Sequence, residues 1–135
     1  MRVHVLDASA MMVFFEDRPG AAAVESLIGR AADEKQPLLM SSLQWGEVMY
    51  TVWRTRGRQA AEAKAAEISL LPVRVVDPDL AAVRQAAAFK AEQGLPYVDG
   101  FAAALAMQRK GTLVTSDPDF KKIGRHIQVL WLPKG

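Results

Sequence analysis

Cysteine is absent from this chain, which removes both a disulfide framework and thiolate ligation of a metal. Histidine is nearly absent: His4 and His126 are the only two, at no ligand spacing from each other, so zinc and haem lack a donor set. His4 alternates with Val3 and Val5 and reads as a structural strand residue. No apolar stretch is long enough to span a bilayer. Asp7 interrupts "MRVHVLDASAMMVFFED" where the apolar core of a secretory signal would run. A cytoplasmic protein with no membrane attachment is therefore expected. A strong charge of one sign is missing too: 17 Lys and Arg against 15 Asp and Glu leave +2, compatible with a nucleic-acid partner but too slight to argue for one.

What is present is an ordinary globular balance, half hydrophobic and about a quarter charged, over a length of 135 residues that suits one domain, 1–135, with a single sizeable core. "RVHVL" reads as a strand, and "DASAMMVFF" as a helix capped by Asp7 or Ser9. An Ala-rich helix follows the Pro-Gly turn at residues 19–20. "PLLMS" is a brief strand, and "SSLQWGEVMYTVWRTRG" a long helix with Ser41 and Gln44 spaced as a capping box and Trp45, Val48, Met49 and Val52 on its core face. After Gly57 come a helix, a strand at "VRVV", a helix from "DPDL", a loop at "LPY", a helix at "VDGFAAALAMQRKG", a strand at "TLVTS", a short helical turn at "DPDFKKIG" and a last strand at "IQVLW". Strands alternating with helices predict an α/β fold, with a mainly parallel sheet between helices. Each Asp-Pro-Asp phrase places a carboxylate at a cap position and Pro78 or Pro118 at the first helical position.

Four acids sit in apolar surroundings: Asp7 after the first strand, Glu47 early in the helix after the second, Asp99 early in the helix before the fourth, and Asp117 after the fourth. In a parallel sheet with right-handed crossovers all four lie at its carboxyl end, where ligands bind in open α/β folds. Each alone reads as a cap, a dipole partner or a surface acid. Gathered together, they repel one another unless a cation intervenes. An oxygen-only carboxylate set suits hard ions such as Mg²⁺ or Mn²⁺, which equip a site to activate water against a phosphodiester.

"VLDASAMM", "SSLQWGEVMYTVWRTRG" and "LPYVDGFAAALAMQRKGTLVTSDPDF" together resemble the PIN-domain ribonucleases, specifically the VapC-type toxins of bacterial toxin-antitoxin pairs, over nearly the whole chain. The resemblance implies a five-stranded parallel sheet in order 3-2-1-4-5 flanked by helices, and Mg²⁺- or Mn²⁺-dependent endonucleolytic cleavage of RNA. Its acidic quartet falls on Asp7, Glu47, Asp99 and Asp117, with Asp7 and Asp99 as main metal ligands. Ser9, Thr115 and Ser116 take the hydroxyl positions that orient the acids or the water, with Asp119 as a supplementary acid. Gly100 and Ser116 depart from the usual Ala and Gly, and Gly100 is expected to cost helix stability. With strand 3 at the far edge, Asp77 falls about 10 Å from the strand bearing Asp7, too far to share its metal.

The partners expected are an RNA substrate, single-stranded or looped, a cognate antitoxin, and a second copy of the chain in a homodimer. Arg18, Arg54, Arg56, Arg58, Lys121, Lys122 and Arg125 are candidates for substrate phosphates. Met11, Met12, Phe14, Phe15, Trp45 and Trp53 are candidates for a partner surface, although such stripes are more often core. A receiver domain would need paired acids after strand 1, and a dehalogenase-type phosphatase would need Asp-x-Asp where this chain has "DAS". The non-enzyme alternative, a catalytically silent PIN-fold RNA-binding or scaffold module, has no need of the full quartet.

Overall fold

The computed structural model describes residues 2–134. Five short strands, β1 (His4–Leu6), β2 (Leu38–Ser41), β3 (Val73–Val76), β4 (Thr112–Thr115) and β5 (Gln128–Trp131), form one sheet in the order β3-β2-β1-β4-β5, with every pairing parallel. The expected order is the observed one. Successive side chains of a strand face opposite sides, and here both sides are covered, so the inner strands are buried almost throughout rather than alternating. Leu6, Leu38, Met40 and Val114 enter one core, and Val5, Leu39 and Leu113 enter the other.

Helices α1 (Ala8–Phe15), α2 (Ala21–Glu34), α3 (Ser42–Arg56) and α4 (Arg58–Leu70) contribute Met11, Val24, Val48 and Ile68 to the first core. Helices α5 (Leu80–Gln93) and α6 (Tyr97–Gln108) and a 3₁₀ segment, Pro118–Ile123, contribute Phe89, Leu105 and Phe120 to the second. Helix α6 is buried without interruption from Asp99 to Ala106. That burial is possible because its residues are small: a Cβ on Gly100 would stand 2.9 Å from the Cα of Ala86, so the missing side chain lets α5 and α6 approach closely. The departure from Ala at position 100 is thus a packing feature as well as a loss of helix propensity.

Three local expectations differ from the fold. Helix α6 begins at Tyr97, with Pro96 as its cap, so the "LPY" loop is one residue shorter than expected. The cap of α5 is Asp79, whose carboxylate accepts the Ala82 N–H at 2.8 Å, and not Asp77, so Pro78 lies outside that helix. Ser41 does cap α3, accepting the Leu43 N–H at 3.3 Å, but Gln44 does not reach back to complete a capping box. Its amide is engaged elsewhere.

Candidate active site

Strand β1 ends at Leu6, and the next residue must satisfy the first N–H groups of α1. Asp7 does so, its Oδ1 accepting from Ala10 N at 2.8 Å and from Ser9 Oγ at 2.7 Å. Because Leu6 is in register with Val114, the following residues of β1 and β4 also meet, and Thr115 Oγ1 donates to Asp7 Oδ2 at 2.5 Å. The two hydroxyls also work outward. Ser9 Oγ accepts from Ser116 N at 3.0 Å and Thr115 Oγ1 accepts from Asp117 N at 2.9 Å, so the turn after β4 is fastened to the turn after β1. A carboxylate has about four acceptor positions, and these bonds occupy three of them. One position on Oδ2 remains.

Asp117 caps the 3₁₀ segment with Pro118 at its start, and its Oδ1 accepts from Asp119 N at 2.9 Å. That tight turn swings Asp119 back toward the sheet. Carboxylate oxygens of Asp99, Asp117 and Asp119 lie within 4.8 Å of one another. Asp99 comes from the first turn of α6 and is 8% exposed, whereas Glu47, in α3, is half-buried. The fold therefore draws Asp119 into the closest group of acids, with Asp7 and Glu47 bordering it.

Electrostatics bind all four expected acids into one pocket. Burial pushes the Asp99 carboxyl up to about 7, with the charges of Asp117, Glu47 and Asp7 adding to the effect. Burial also raises Asp7 to about 6, and its hydrogen bonds from Thr115, Ala10 and Ser9 hold it from rising further. Glu47 is raised by burial and then by Asp117. Among the described residues the only ion pair reaching this group is Lys122 to Asp119, at 3.6 Å on the exposed side. The donor set is all oxygen and short of positive charge, which is the chemistry a hard divalent cation fits.

A residue not anticipated as part of this region is Gln44. It is buried in α3, three residues before Glu47, where its Oε1 accepts from Ala8 N at 2.7 Å and its Nε2 donates to Val98 O at 3.0 Å. One amide thereby spaces the three helices that carry Asp7's turn, Glu47 and Asp99. The available signal was a lone polar residue at i−4 and i−8 from the buried Val48 and Val52.

The expected cations are scattered. Arg18 and Arg56 both pair with Glu16, and all three line a groove of about 410 Å³ that also includes Ser9, Met12 and Glu47. Arg58 stacks over Trp53 and Lys121 over Trp131, while Arg54 and Arg125 are exposed. Met11 is fully buried; Met12, Phe14, Phe15 and Trp45 pack partly buried on the same core; Trp53 is exposed.

A family model described as "PIN domain" matches residues 4–126. Among curated proteins none matches the sequence. The fold is similar to a chain in the crystal structure of VapBC2 from Rickettsia felis bound to a DNA fragment from their promoter, with 17% identity, 96% of this chain and 98% of that chain covered, and a TM-score of 0.76. It is similar to a chain of DNA-bound VapBC from Salmonella typhimurium, with 19% identity, 96% and 98% covered and a TM-score of 0.72. It is also similar to Mycobacterium tuberculosis VapC20, a Sarcin-Ricin loop cleaving toxin, with 20% identity, 90% and 95% covered and a TM-score of 0.69. At these identities the likeness is one of fold.

Proposed function

The chain belongs to the PIN-domain family, and from that premise we propose that it is a metal-dependent endoribonuclease, the toxin of a toxin-antitoxin pair, acting in the cytoplasm on single-stranded or looped RNA. The observation that carries this reading is the uncompensated carboxylate pocket, in which burial, and then the charges of Asp117, Glu47 and Asp7, raise Asp99 to about 7. Asp99, Asp117 and Asp119, with the remaining position on Asp7 Oδ2, would hold Mg²⁺ or Mn²⁺. When bound, such an ion offsets charge at the scissile phosphate and makes water more acidic.

The chain's own residues prepare the ground for that chemistry. Ser9 and Thr115 fix the Asp7 carboxylate from both oxygens, so it needs no reorganisation when substrate arrives. Glu47, at the mouth and held above its ordinary pKa, is placed to orient the attacking water and accept its proton. The groove beyond it, with Arg18 and Arg56 along its wall, suits the phosphates flanking the cut.

VapBC pairs among the similar structures support an antitoxin as partner. The same α1–α3 groove, apolar at Met12 and Val52 and acidic at Glu47, would seat an amphipathic helix bearing an Arg or Lys. A homodimer is part of the proposal. Incubation of the purified protein with total RNA, with and without Mg²⁺ or Mn²⁺, tests the activity through mapped new ends. Growth arrest on expression, relieved by the neighbouring small reading frame with a co-purifying complex, tests the toxin role. Harmless expression of active protein with no such partner would remove it.

A further inference from the structure

The carboxyl end of the sheet collects acids, and the amino end collects what the proposed reaction does not use. His4 opens β1, Arg2 precedes it, and Arg30 lies toward the end of α2. These three line one cavity of about 60 Å³, together with Gln36 and Glu34. On the other side of Arg2 a second hollow, about 350 Å³, contains Lys110 and His126. Both histidines of the chain and three of its fixed cations thus share one end of the fold.

Arg2, Arg30 and Lys110 are exposed and solvent screens their repulsion, yet together they make this end of the sheet a basic surface suited to an anion. Burial lowers the pKa of His4, and the charges of Arg30 and then Arg2 lower it further. Glu34 is the only acid on the cavity wall, and among the described residues it makes no ion pair with either arginine. Arg2 is exposed but tethered at one point. Its Nη1 donates to Thr112 Oγ1 of β4 at 3.1 Å, which orients the guanidinium and leaves its other N–H groups for a ligand. The cavity, about 60 Å³ and open to solvent, has room for a tetrahedral oxyanion, free or carried by a larger molecule that extends into solvent.

We propose that the amino end of the sheet is a phosphate-binding site. Arg2 and Arg30 clamp the oxyanion by charge-assisted hydrogen bonds, and His4 and the Gln36 amide complete its donors. The phosphate belongs either to a free monoester or to an RNA backbone. In the second case Lys110 and His126 receive the next phosphate, because Arg2 borders both hollows. The site is separate from the carboxylate pocket and stands or falls independently of the nuclease reading.

The test is an NMR titration of the full chain with inorganic phosphate at ionic strength held constant with chloride, read at the His4 and His126 imidazoles. A saturable His4 shift is expected, with its titration moving to higher pH. Arg30→Gln and Arg2→Gln should each weaken binding at least about tenfold, the loss of one charge-assisted contact. Arg84→Gln, which removes an exposed charge elsewhere, and Asp99→Asn should leave it unchanged. Adenosine monophosphate and a short single-stranded oligoribonucleotide, the latter on Asp99→Asn protein, separate the sources. Tighter binding of the oligonucleotide with movement of both histidines assigns the site to RNA, and equal binding with His4 alone moving assigns it to a free phosphate. Shifts that fail to saturate, or that persist in both arginine variants with native-like spectra, would overturn the proposal.

Discussion

Replacing Asp99 by Asn should make the metal-free protein more stable, although it removes a proposed ligand. The carboxyl titrates near 7 in the fold against an ordinary 3.8, so its proton is held more tightly folded than unfolded. A raised acid contributes no penalty below about pH 4, an increasing one as pH climbs through the window to 7, and the whole of it above. At 1.36 kcal/mol per unit the gap corresponds to about 4 kcal/mol, and solvent at the pocket mouth reduces this to about 2 kcal/mol. For a chain of this length that is a gain of about 6 °C in Tm. Denaturation should be followed in EDTA at pH 8 and again near pH 4, where the two proteins should converge. In Mg²⁺ at about 100 times its Kd the wild type should recover about 2.7 kcal/mol and the variant little, which reverses their order. A variant less stable than wild type at pH 8 in EDTA would refute the reasoning, as would an advantage that ignores pH.

Gln44→Ala leaves the Ala8 N–H and the Val98 carbonyl without their partner and should lower stability by about 2–4 kcal/mol in urea denaturation, far more than an exposed Gln would. Gly100→Ala should destabilise by about 1–2 kcal/mol despite the better helix former, because overpacking against Ala86 outweighs propensity; Ala86→Gly in the same chain should restore part of the loss. Asp117→Asn should abolish RNA cleavage, whereas Asp77→Asn, just past the far edge strand, should cut normally; equal loss in both would break the argument from strand order. Cleavage should disappear in excess EDTA and return with Mn²⁺ or Mg²⁺, and full activity in the chelator would point to acid-base chemistry without metal.

How far the fold could be read depended on whether the signal was local. Strands buried on both faces appear as short, largely apolar runs, and Asp7 lies one step and Asp117 two steps after such runs, so a cap at each place was readable from neighbours, although at α1 Ser9 remained an alternative to Asp7. Strand order carried no local mark and came from the family resemblance. In "VVDPDL" two aspartates compete for one cap, and Asp79 holds it because β3 stays paired through Val76 and the chain needs the intervening residues to turn. Gln44 was misread because Ser-x-x-Gln is a local pattern, while its partners lie 36 and 54 residues away. Asp119 could be placed only once the 3₁₀ turn was known to fold it back toward Asp99.

The hydroxyl of Thr115 meets Asp7 across a separation of 108 positions, and Gln44 spans almost as widely through its two bonds. A metal motif borne on one helix can be held by a short peptide, but a centre closed by such distant contacts has a high contact order and acquires its geometry late in folding. The loop-closure entropy must be met before β1 and β4 pair, so the pocket is expected to assemble and dissolve with the domain as a whole. A partly folded chain then carries the acids without the arrangement, and would be harmless to RNA until the central strands have zipped together.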